Sequence, residues 1–182
     1  MRVRQLLIAA ACLALPFFSG DSAHSASDSQ QYQVNVPTRL FITAPTIDPV
    51  RAYVVGLLDL FFPQDVVFAP QTWRARTNSY QGATVTLETL TAFRHRTAPT
   101  SKRDARLEVA VDRTFGPGVW TVNTASDRTR YALGDEVARV QLTAAGPGEV
   151  NILLTVTFIT VQVFTLQEGY YDTTVVGTIT EN

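Results

Sequence analysis

The chain has 182 residues, with 15 Lys and Arg against 16 Asp and Glu, a formal net charge of −1, one cysteine and two histidines. So balanced a charge excludes a bulk pull toward nucleic acid or anionic membrane. A single cysteine excludes an intrachain disulfide and a cysteine-built metal site.

The N-terminus reads as a secretory signal peptide over residues 1–26. Arg2 and Arg4 are followed by an apolar run, Leu6 to Phe18, and then by the small residues of Ser22-Ala23-His24-Ser25-Ala26. The run holds 13 residues, short of the roughly 20 that a spanning helix needs, so no stable membrane span is expected after its removal. Cleavage there would leave a single domain, 27–182, which is long enough for its own core. Cys12 and His24 would leave with the signal, and the loss of Arg2, Arg4 and Asp21 moves the formal charge to −2. Secretion to a periplasm or cell surface is the expected localisation.

The first mature segment alternates. Tyr32, Val34 and Val36 are separated by Gln33 and Asn35, the period-2 pattern of a half-buried strand. After Pro37, the alternation resumes at Leu40 and Ile42. A helix is predicted over 49–62, where Val50, Tyr53, Val54, Leu57, Leu58, Phe61 and Phe62 recur at helical spacing between Asp48-Pro49 and Pro63. Its expected role is to cap an open end of a sandwich. Strands follow at 84–91, 107–112, 137–142, 150–158 and 170–180, rich in Thr and β-branched residues. Turn signals separate them at Gln81-Gly82, Gly116-Pro117-Gly118, Gly134-Asp135, Gly146-Pro147-Gly148 and Gln167-Glu168-Gly169. Many short strands with such punctuation predict an all-β sandwich or barrel. Trp73 and Trp120 fall in strand-like segments and are expected as core anchors.

Chemical motifs are sparse. The sequence has no Gly-x-Ser-x-Gly elbow, no phosphate-binding loop and no dinucleotide-binding glycine pattern. The remaining histidine, His95, stands between Arg94 and Arg96, a poor setting for a base that must become positively charged. Asp127, Asp135, Glu136 and Asp172 match no calcium-loop spacing and read as solvated loop acids. No enzyme activity, catalytic residue, metal or cofactor is expected. One charge cluster stands out in a predicted hairpin connection: Arg94, Arg96, Lys102, Arg103 and Arg106, with Asp104 as its acid. It reads either as a soluble loop tip that discourages edge pairing or as a patch for anionic glycan, lipopolysaccharide headgroup or extracellular nucleic acid. The charges lack interleaved aromatics, which favours the loop tip and no nucleic-acid partner.

At the C-terminus, Gly169, Tyr171, Val175 and Ile179 form the pattern Gly-x-Tyr-x-x-x-Val-x-x-x-Ile. This resembles the closing strand of chaperone–usher pilins and of spore-coat-protein-U-like secreted proteins. The resemblance covers roughly residues 150–182, with a weaker echo in Gln71-Thr72-Trp73 and Asn78 to Gly82. It departs from the pattern where Gly177 interrupts the strand, at Glu181-Asn182 in place of a terminal aromatic, and in the predicted helix over 49–62. The resemblance implies an all-β, immunoglobulin-like β-sandwich fold and a secreted structural or adhesive surface protein, a pilus- or fibre-type subunit. Such a subunit would assemble with copies of itself or with related subunits by β-strand addition, and a periplasmic chaperone would deliver it. The candidate donor strand is Gln31 to Val36, inserting Tyr32, Val34 and Val36. The same residues could equally form the first strand of their own sheet. The alternative function is a self-contained immunoglobulin-like extracellular binding module for a protein or glycan. An open apolar groove would mark the first reading, a closed sandwich the second.

Overall fold

The computed structural model describes residues 30–53, 65–160 and 165–182. The predicted signal peptide lies outside them, as does most of the predicted helix. Residues 49–53 are described and are not helical, although their apolar spacing fits a helix. The chain divides into two units, Met1–Asn35 and Val36–Asn182, and the strands among the described residues belong to the second.

The fold is all-β. The thirteen strands among the described residues are β1 (Leu40–Thr43), β2 (Val66–Val67), β3 (Gln71–Thr77), β4 (Ala83–Thr89), β5 (Phe93–His95), β6 (Lys102–Arg103), β7 (Ala105–Phe115), β8 (Trp120–Thr124), β9 (Ser126–Arg128), β10 (Arg139–Ala144), β11 (Gly148–Phe158), β12 (Tyr171–Asp172) and β13 (Val175–Glu181). One sheet runs β1-β3-β11-β7-β9, with β2 continuing beside β11; a second runs β13-β4-β10-β8; a small third runs β12-β5-β6. All the pairings are antiparallel.

The first two sheets pack face to face as a sandwich. Alternate residues of each strand point inward, as the pleat requires. Trp73 and Ala75 of β3, Leu107 and Val109 of β7, and Val150, Ile152 and Leu154 of β11 meet Val85 and Leu87 of β4, Val140, Leu142 and Ala144 of β10, and Trp120 of β8. Both tryptophans are buried, as expected of core anchors. Val85, Leu87, Leu107, Val140, Leu142, Val150 and Ile152 are all 0 % exposed, so no groove reaches the core at these positions.

A second, smaller core lies where β7 and β11 run on past the sandwich. Phe93, Ala105 and Phe158 are buried there with Val66, Phe68, Leu166 and Tyr171 around them. Their rings meet edge to face, Phe93 on Phe158 at 5.0 Å and Phe158 on Tyr171 at 5.4 Å. The C-terminal pattern is therefore split. Gly169 and Tyr171 serve the small core, while Val175 and Ile179 of β13 pack on the large one.

Gly177 interrupts the β-branched run of β13 for a packing reason. A Cβ at this position would lie 2.5 Å from Trp73 Cζ3 and 2.7 Å from Ile42 Cδ1. The glycine leaves the space that the indole fills. Gly177→Val is expected to cost about 1–3 kcal/mol by overpacking. The outward Thr178→Val should stay within about 0.5 kcal/mol. Urea unfolding midpoints at unchanged slope would separate the two.

Candidate binding face

The segment expected to alternate as a strand does not pair. Residues 30–36 form no strand, and Tyr32, Val34 and Val36 are 83 %, 85 % and 72 % exposed. Period 2 alone lacked a partner edge here, and the ladder begins only at Leu40. Asn78 helps to set that start: its side chain accepts from the Arg39 N–H at 2.5 Å and donates to the Pro37 carbonyl at 3.0 Å.

The predicted basic loop is not a free cationic patch. Lys102 is bound to Glu136, and Arg94 lies 3.9 Å from the same carboxylate. Arg96 makes a two-pronged contact with Asp172 at 2.9 and 3.0 Å, and that carboxylate holds its guanidinium above the ordinary value. Arg106 faces Glu108 at 3.4 Å. Arg103 is buried and donates to the Lys102 carbonyl, to the Thr165 carbonyl at 2.5 Å and to Thr165 Oγ1 at 2.8 Å. In sequence the cluster has Asp104 as its one acid, because its partners Glu136 and Asp172 lie far along the chain and arrive through the fold. Asp104, the acid inside the loop, turns away to accept from Thr129 Oγ1 and the Tyr131 N–H.

His95 and the loop acids are likewise committed to structure. His95 is 4 % exposed, and its Nδ1 accepts from the Ala98 N–H at 3.0 Å. Nδ1 is therefore unprotonated, and Nε2 donates to the Glu168 carbonyl at 2.9 Å. A Cβ on Gly169 would lie 2.4 Å from Nε2, so only glycine fits beside the ring. Asp127 accepts from the Arg128 and Arg139 N–H groups, and Asp135 lies 3.9 Å from Arg130. With Glu136 and Asp172 in the ion pairs above, the four acids serve separate contacts. No group of His, Cys, Asp or Glu able to hold a metal ion occurs among the described residues. None of the helices there is long and apolar enough to cross a membrane.

Exposed cationic groups gather elsewhere, on the outer face of the β1-β3-β11-β7 sheet. The register lines up Phe41, Arg76, Glu149 and Phe115 in one row across four strands, and Thr43, Arg74, Asn151 and Arg113 in the next. Phe41 and Phe115 are 54 % and 47 % exposed. Arg74 binds Glu149, its Nε donating at 2.6 Å. Arg113 lies over the Phe115 ring at 5.9 Å. Neither Arg76 nor Arg113 is in an ion pair among the described residues. A shallow depression of about 280 Å³ is lined by Phe41, Thr43, Arg74, Arg76 and Glu149.

A β-bulge builds half of this face. The β7–β11 register shifts between Asn151 and Ile152, so that Asn151 pairs with Arg113 while Ile152 pairs with Val111. Asp112 is the extra residue. Leu107, Val109 and Val111 point into the core, and simple alternation would send Arg113 and Phe115 after them. The inserted residue reverses the parity and turns both outward. The outer face of the other sheet carries the uncharged row Thr180, Thr84, Thr143, Thr121 and, further along, the ion pair of Glu88 with Arg139.

No family model matches the chain, and neither a curated protein nor a solved structure matches it.

Deleting Asp112 would remove the bulge and leave a regular ladder in which Val111 still faces Ile152, Arg113 still faces Asn151, and Arg113 and Phe115 still point outward. The expected cost is therefore small, within about 1 kcal/mol, because no charge moves toward the core. Asp112→Ala, which keeps the bulge, should cost well under 1 kcal/mol by the same unfolding measurement.

Proposed function

We propose that this is an exported, self-contained β-sandwich that binds an anionic ligand on the outer face of its larger sheet and catalyses no reaction. The observation that carries the reading is the pair of exposed arginines without an ion pair among the described residues: Arg76, between exposed Phe41 and Phe115 in one row, and Arg113, beside Phe115 in the next. Planar guanidinium groups suit carboxylate, sulfate or phosphate oxygens, which they can grip with two parallel hydrogen bonds. Sites built on strands are better ordered than sites on loops. The closed core supports a module that needs no second chain to complete it. The N-terminal pattern of positive, apolar and small residues supports export.

The test is binding to an immobilised anionic polymer such as dextran sulfate. Replacing both Arg76 and Arg113 with alanine should weaken binding at least tenfold, a change of about 1.4 kcal/mol. Replacing Arg94 and Arg96 should leave it nearly unchanged, because those charges already have partners. Binding should also weaken as salt rises. Equal loss from the two pairs of substitutions would defeat this assignment.

A second reading rests on the exposed Gln31–Val36 segment: a fibre-type subunit that donates this strand to a neighbour. Sedimentation of the purified chain decides it. Assembly that disappears on changing Val34 to Asp supports strand donation, whereas a monomer at all concentrations opposes it.

A further inference from the structure

We infer that the ligand of the arginine–phenylalanine face is an acidic polysaccharide that bears carboxylates on spaced sugar rings, with neutral rings between. This deepens the proposed function and rests on it. Three features of the face select this class among anions.

The first is the spacing of its charge. Arg76 on β3 and Arg113 on β7 are two strands apart and one outward position apart along the strand direction. Strand spacing and rise put their backbones roughly 12 Å apart. The face therefore offers two separated cationic points, suited to anions spaced along an extended chain. Arg74, the third arginine, is already neutralised by Glu149.

The second is what lies between those points. Glu149 and Asn151 stand side by side on β11, in the middle of both rows. The Glu149 side chain is only 13 % exposed, and Arg74 holds it in place. A carboxylate and an amide at the centre can exchange hydrogen bonds with sugar hydroxyls. Its pairing with Arg74 also takes that arginine out of play, so the face lacks the continuous row of cations that a polymer with a phosphate at every unit, such as single-stranded nucleic acid, would need.

The third is the placement of the aromatic rings. Phe41 and Phe115 end the row that contains Arg76 and Glu149, three strand spacings or roughly 14 Å apart. Each offers an apolar platform for the C–H face of a sugar ring, with charge and hydroxyl recognition between them. The size and shallowness of the depression suit an extended chain lying across the strands better than an enclosed small molecule.

The experiment compares four probes on the purified chain by calorimetry. They are a hyaluronan oligosaccharide with one carboxylate per two rings, a neutral glucan of equal length, single-stranded oligothymidylate of equal charge, and dextran sulfate. The expected result is that hyaluronan binds at least tenfold more tightly than the neutral glucan and than oligothymidylate. Phe41→Ala or Phe115→Ala should weaken hyaluronan at least fivefold while changing dextran sulfate less than twofold. Glu149→Gln should raise the affinity for oligothymidylate at least threefold. Circular dichroism of each variant checks that the sheet is intact, and Phe41→Leu and Phe115→Leu serve where an alanine variant loses it. If dextran sulfate binds through Arg76 and Arg113 but hyaluronan does not exceed oligothymidylate, or ignores both phenylalanines, the polysaccharide inference is overturned and the anion-binding reading stands. If no anionic probe binds, both are overturned.

Discussion

The structure depends on the ladder between β7 and β11. Both strands are eleven residues long and run through the large core and the small one. β11 is shared: β3 and then β2 pair along one edge, and β7 along the other. Its inward residues Val150, Ile152 and Leu154 anchor the sandwich, while its outward Glu149 and Asn151 occupy the middle of the candidate face. Because the side-chain period is two, packing on one side of this ladder dictates what is displayed on the other. The bulge at Asp112 is the exception that the ladder accommodates. It leaves the pairing of Glu149 with Phe115 and of Leu154 with Val109 intact on either side. One extra residue thus changes the display without opening the core.

Charge is distributed by the same logic. The cations around the small third sheet are engaged within the fold. They bind Glu136 and Asp172, or in the case of Arg103 a neighbouring carbonyl and hydroxyl. Buried or half-buried cations need such partners, because leaving one unsatisfied costs more than the paired contact contributes. Exposed arginines on a flat sheet have no such requirement, so Arg76 and Arg113 remain available to solvent. Density of positive charge in sequence is therefore a poor guide to surface potential here. The richest cluster is the most fully compensated, whereas Arg76 of β3 and Arg113 of β7, each standing apart from it, are displayed.

The small core has a comparable division of labour. His95 links the loop after β5 to the turn before β12, and Tyr171 covers its ring at 4.9 Å. The only histidine downstream of residue 24 is committed to holding that turn. Gly169 completes the arrangement by leaving space for the ring. The likeness of the C-terminal pattern to a single closing strand therefore divides in three dimensions, with one half in each core.

Much of the fold was legible in the sequence. Alternation of Val85 with Leu87, of Leu107 with Val109, and of Val150 through Phe158 marked central strands, because a pleated strand with a buried face must alternate. Trp73 and Trp120 could be placed in the core by size and context. Alternation at Tyr32, Val34 and Val36 misled, because period 2 states a competence to pair and supplies no partner edge. Apolar spacing at 49–53 misled in the same way, since local pattern does not decide against a competing tertiary environment. By itself, then, the sequence determined the strand-rich class, the apolar interior and the absence of disulfide chemistry, all of which follow from residue type and local period. Only the tertiary structure decided which charges are neutralised and which residues share the outer face. Those depend on strand register and on contacts between residues as distant as Arg96 and Asp172, and the register turns on the one residue, Asp112, that the alternation of β7 gave no reason to single out.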